Sequence, residues 1–168
     1  MSSKKKYEIL SQAKNHAETI LKNNKLNVPF EVSLEKIKEP KTIAIYHVNS
    51  SKEGLVNVSY NTHLIGRDID KVVLYILHEY SHGIFEDVGE LFTEDILKMI
   101  ELLRRNKYGN KYVPFYRINI DVEKEDFCNF WASYLINKKN CVKFNDEIEK
   151  ICKTIIQDYY KIHTNRIS

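Results

Sequence analysis

Between Val72 and Phe85 the chain reads VVLYILHEYSHGIF, with two histidines and a glutamate inside an otherwise apolar helical run. An unpartnered buried polar group costs about 1 to 3 kcal/mol, so three of them in five positions call for a shared partner. His78 and His82 are four residues apart, which on a helix puts both imidazoles on one face within reach of a single ion. Glu79 flanks that face. A zinc ion satisfies all three: it takes two nitrogen ligands, brings a bound water to a pKa of about 7, and leaves the carboxylate beside that water as general base.

Three residues at this spacing form the His-Glu-x-x-His arrangement of zinc peptidases. The alternative, two core histidines satisfied by backbone or carboxylates, leaves Glu79 without a role. A catalytic zinc needs a third protein ligand and an open position for water. Glu86, Asp87, Glu123, Glu125 and Asp126 are the candidates. A continuing helix carries Glu86 a full turn past the metal. Glu125 has Cys128, Asn129 and Ala132 three, four and seven positions on, so it shares a face with Asn129 and with small residues that let a second helix approach. Glu125 is the preferred ligand, with Asp126 and Glu123 left open, and Asn129 is a candidate for orienting a ligand from behind. Glu123 suits a charge at a helix start better.

The elements that must position these groups follow from periodicity. Ser2 and Ser3 cap a helix with Tyr7, Leu10, Ala13, Ala17, Ile20 and Leu21 at helical spacing, ending at Asn23-Asn24. NVPFEVSLEKIKEP reads as a turn and a short helical piece capped by Ser33 and stopped by Pro40. TIAIYHV and LVNVSY are β-rich and separated by NSSKEG, which makes a hairpin. A helix runs from about Asp68 through Phe85. Thr93 caps another through ILKMIELLRR, VPFYRINI is extended, Asp121 caps VEKEDFCNFWASYLI, and DEIEKICKTIIQDYYKI is a final amphipathic helix. The whole predicts one α+β domain over residues 1–168, helix-rich, with a small antiparallel sheet.

Composition narrows the setting. The 168 residues are 43% hydrophobic, enough for one real core, and the net charge of +3 is small, which argues against direct nucleic-acid binding. Lys4, Lys5 and Lys6 read as a solvated terminus. Neither a secretory h-region nor a run of apolar residues long enough for a membrane span occurs, and Cys128, Cys141 and Cys152 are odd in number without CxxC spacing. A cytoplasmic protein with reduced thiols is expected.

LVNVSYNTHL one loop before LYILHEYSH, followed by EDFCNFWASYLI, resembles the ImmA/IrrE family of zinc metallopeptidases from Thr42 to Ile136. In that family a helix of the form E-x-x-A-[NS]-x-F-A-x-x-L follows the His-Glu-x-x-His helix, and here Glu125, Cys128, Asn129, Trp131, Ala132 and Leu135 occupy those places. The resemblance implies a zincin-like fold, zinc on His78, His82 and Glu125, Glu79 as base, and a protein substrate of helix-turn-helix repressor type. It departs from the family at Ser81, Glu86 and Cys128 and in a long insert between His82 and Glu125. Peptidases of this broad kind bind substrate as an added strand, which makes LVNVSY the expected edge. Tyr112, Tyr116 and His63 are candidates for stabilising an oxyanion. Trp131 and Tyr134 read as core, and His16, His47 and His163 as ordinary residues. Two other functions fit the same residues: a zincin-fold protein that captures a regulator without cutting it, and a zinc peptidase of another lineage, toxin-like or peptide-trimming.

Overall fold

A computed structural model describes residues 1–26, 28–88, 122–137 and 146–167, together with Glu94 and Lys98. Helix α1 spans Ser3–Asn23, and the Ser2 hydroxyl accepts from the Lys5 N–H at 3.2 Å as its N-cap. Strands β1 (Phe30–Glu35), β2 (Ala44–Tyr46) and β3 (Val56–Asn61) form one sheet, with a 3-10 turn at Ser51–Glu53 between the last two. Helix α2 covers Ile69–Val88, α3 covers Val122–Asn137 and α4 covers Asp146–Ile167. The described residues make a helix-rich α+β domain, and none of their helices is long and apolar enough to cross a membrane.

Helix α2 is the axis. Its first turn is fixed by Asp68, whose carboxylate accepts from the Lys71 N–H at 3.3 Å and whose carbonyl accepts from the Val72 N–H. From Val72 to Ile84 every residue except Tyr75 is buried, so this helix is enclosed on all sides where most helices bury a single stripe. It packs against α1, β2, β3, α3 and α4. Ala13 and Ala17 of α1, both fully buried, allow that helix to lie close against it. Tyr7, assigned to the same apolar stripe, is instead 60% exposed, because the buried face turns through Ile9 and Leu10.

The sheet is mixed, not antiparallel. Its order is β1-β3-β2, with β1 parallel to β3 from Phe30↔Val56 to Glu35↔Asn61 and β2 antiparallel to β3 from Ala44↔Tyr60 to Tyr46↔Val58. The hairpin is as expected. The segment read as a short helix is β1: Phe30, Val32 and Leu34 alternate with Glu31, Ser33 and Glu35, a period of two that pairing with β3 satisfies over six residues. Because β1 joins β3 on its open side, LVNVSY is the central strand and not the edge. Val56, Val58, Ser59, Tyr60 and Asn61 are accordingly all buried, and β2 is left as the edge on the far side.

The hairpin connection needs left-handed backbone twice. Asn49 has φ 66° and Gly54 has φ 88°, positions that asparagine and glycine tolerate best. The expected helix after Thr93, the extended VPFYRINI and the contents of the insert lie outside the described residues, apart from Glu94 and Lys98, which are helical.

Candidate metal centre

His78 and His82 stand on consecutive turns of α2 with ring centroids 5.1 Å apart, and both are buried. Helix α3 packs across α2 and brings Glu125 over them: its Oε2 lies 3.2 Å from His78 Nε2 and its Oε1 3.2 Å from His82 Nε2. One carboxylate therefore faces the same nitrogen of both rings. Glu79 lies to the side, 3.9 Å from each of those nitrogens. A ligand atom from each of His78, Glu79 and His82 falls within 4.8 Å of the others. The approach of α3 is close because Cys128 and Ala132, on the Glu125 face, are small and fully buried.

The electrostatics follow from burial and pairing. Hydrogen bonds from His78 and His82 hold the Glu125 carboxyl well below the usual carboxylate range, although half of its side chain is exposed. Burial pushes the Glu79 carboxyl up, against the opposing pull of the two histidines. Burial alone would lower His78, but the hydrogen bond to Glu125 and the charge of Glu79 outweigh it, and the net direction is upward. Asn129, buried one turn beyond Glu125, acts on His78 in the same direction. Burial pushes the Cys128 thiol up, so it is a small core residue and offers no thiolate.

A cleft of about 300 Å³ opens onto these groups, lined by Ala44, Ile45, Tyr46 and Val48 along the edge strand, by His78, Glu79 and His82 on its floor, and by Lys124 and Glu125. Ile45 and Val48 are 40% and 68% exposed. Tyr46 was not singled out from the sequence, yet its ring stacks on His82 at 6.0 Å and 11°, and its backbone N–H donates to Glu79. Nothing in TIAIYHV marks it beyond the alternation that buries one side of the strand. Lys124 was missed for the same reason, as an unremarkable charge at a helix start.

The remaining candidates fall elsewhere. The Glu86 carboxylate accepts from the Tyr46 phenol at 2.8 Å and from the Asn49 N–H at 3.0 Å. Asp87 accepts from the Ser51 hydroxyl at 2.5 Å and pairs with His163 Nε2 at 2.7 Å. Neither is a third ligand. His163, read as an ordinary residue, thus joins α4 to the end of α2 through a buried hydrogen bond to Asp87. His63 is exposed and outside the cleft lining. The side chains of Glu123 and Asp126, and all of Tyr112 and Tyr116, lie outside the described residues.

Two imidazole nitrogens and a carboxylate converging on one point are the donor set of a three-ligand zinc site, and the chemistry of these residues fits that ion. Searches against protein-family models, curated proteins and solved structures find no match to this chain.

Proposed function

We propose that this chain is a cytoplasmic zinc endopeptidase of ImmA/IrrE type, with His78, His82 and Glu125 as ligands and Glu79 as general base. The observation that carries the reading is the approach of Glu125, on a separate helix, to the same nitrogen of both histidines at 3.2 Å. Sequence spacing can align two histidines, but only the packing of α3 on α2 supplies the third donor.

Zinc held there would lower the pKa of a bound water and polarise a peptide carbonyl. The chain's own residues do the rest. Glu79, with a carboxyl pushed up by burial, takes the proton of the attacking water and returns it to the amide nitrogen of the leaving chain. The Tyr46 backbone and the two imidazoles favour the ionised form of that carboxylate against its burial. Asn129, buried one turn beyond Glu125, is the group placed to orient His78 from behind. A substrate segment in extended form lies along β2, an edge strand of the sheet among the described residues, with its side chains meeting Ile45 and Val48. A helix-turn-helix repressor is the substrate that the resemblance suggests.

The test is cleavage of a helix-turn-helix repressor encoded beside the gene, followed on gels with and without chelator. Wild type should give fragments that vanish with chelator, while Glu79→Gln should keep zinc and lose at least about 100-fold in rate. A repressor that binds and stays whole would replace cutting by capture. Glu79→Gln cleaving at the wild-type rate would remove Glu79 as base.

A further inference from the structure

Tyr46 touches α2 at three successive turns. Its backbone N–H donates to Glu79, its ring lies parallel to His82, and its phenol donates to Glu86 Oε2 at 2.8 Å. Positions 79, 82 and 86 are spaced three and four apart and so form one stripe down the helix. The phenol oxygen is held from the other side by the Ser51 N–H at 3.2 Å, and Glu86 Oε2 also accepts from Asn49 N–H at 3.0 Å. The hydroxyl is thus engaged as donor and acceptor within the protein and faces away from the role of an oxyanion donor. Burial, the largest influence, pushes it up to about 12, which keeps it a neutral donor to Glu86.

We infer that Tyr46 is a positioning residue for the metal centre: its phenol, clamped between Glu86 and the Ser51 amide, sets the edge strand against α2 so that its amide aims Glu79 and its ring orients His82. The inference rests on the metal reading given above. It assigns to Glu86 a role outside the ligand set, as the anchor of the strand that borders the cleft.

The test uses the full chain loaded with zinc or cobalt and needs no substrate. Zinc affinity is measured by competition with a chromophoric chelator, the cobalt absorption spectrum reports ligand geometry, and thermal melting of the metal-free chain reports folding. Tyr46→Phe and Glu86→Ala should each weaken zinc binding by about 10-fold, the scale of losing a group that orients a ligand, and both should alter the cobalt spectrum. Glu86→Gln, which retains an oxygen to accept from the phenol and from Asn49, should restore both readouts. Variants with lowered melting temperature but unchanged affinity and spectrum would overturn the inference, leaving only a structural clamp. So would equal losses in Glu86→Gln and Glu86→Ala, since the carboxylate's charge and not its bond to Tyr46 would then act. If one variant fails to fold, the other decides; failure of both Tyr46→Phe and Glu86→Ala to fold counts against the inference. A wild-type chain that takes up neither metal overturns the metal reading and this inference together, whereas normal uptake with indifferent variants overturns the inference alone.

Discussion

Glu125 is the residue on which the candidate site turns, because it is the one proposed ligand that the His-Glu-x-x-His spacing does not supply. Glu125→Ala removes the proposed ligand oxygen, and zinc affinity should fall by more than the 10- to 100-fold typical of losing a partner that only orients a ligand. Chelator competition measures this, and an unchanged affinity would move the third ligand to another carboxylate. The pH dependence has a definite sign. Glu125 is held below its ordinary range, so its contribution to stability is present above the unfolded carboxyl value and fades as the pH falls. His78 is held above its ordinary value, so its contribution is complete below about pH 6.5 and is lost as the pH rises through its folded value. Ionising Glu79, whose carboxyl burial pushes up, works in the same direction as the loss of His78. The metal-free chain should therefore melt at lower temperature at pH 8 than at pH 6, and less steeply so in Glu125→Gln. Zinc needs unprotonated imidazoles, so the rise in melting temperature that it produces should grow over that same interval. Melting curves in EDTA and in zinc across the series check both slopes.

At the scale of elements, long helices were legible and short strands were not. α1 and α4 carry more than five turns of apolar periodicity, α2 and α3 are long runs rich in apolar residues, and caps such as Ser2 and Asp68 among the described residues stand in the sequence. β1 has only six residues, with Ser33 and Pro40 nearby to suggest a capped helix, and the alternation Phe30, Val32, Leu34 is too brief to prevail over them without its partner strand in view. Strand order was hidden for a related reason. A hairpin is a local fact, readable from NSSKEG, but the parallel joining of β1 to β3 depends on packing over α2, and it is that joining which moves the edge from LVNVSY to Ala44–Tyr46. The contact between turn and helix gives the prediction at this scale. A Cβ at Gly83 would stand 3.0 Å from Ser51 Cβ and 3.5 Å from the Tyr46 phenol oxygen. Alanine improves helix propensity by about 1 kcal/mol, whereas forcing a carbon into a filled contact costs about 1 to 3 kcal/mol. Gly83→Ala should lose about 1 kcal/mol in urea unfolding; a gain of that size would mean that the Ser51 turn yields freely.

For the whole molecule, the central fact is a helix packed on by the three other described helices and by β2 and β3, carrying the polar groups at its middle. The sequence conveyed the enclosure, since VVLYILHEYSHGIF has no solvent face, and of the group it offered, Glu79 and Glu125 both stand within 3.9 Å of the His78 and His82 Nε2 atoms. It did not convey the ring around them: Tyr46 with Glu86, and Ser51 with Asp87 and His163, are pairs separated by 36 to 76 positions, with no motif to join them. Ligand binding to such a core should be felt globally. Free zinc at 100 times its dissociation constant should raise unfolding free energy by about 2.7 kcal/mol, and chelator should remove the gain. A melting temperature indifferent to zinc at that excess would mean that the ion does not bind the folded chain. A designer who carried only the two histidines, Glu79 and Glu125 into another scaffold would leave behind the gauge that sets their clearance. The Ser51 turn closes on α2 at Gly83, where an added Cβ would stand 3.0 Å from Ser51 Cβ, so the seat of that turn beside the histidine helix depends on the one residue of the helix that has no side chain to trim.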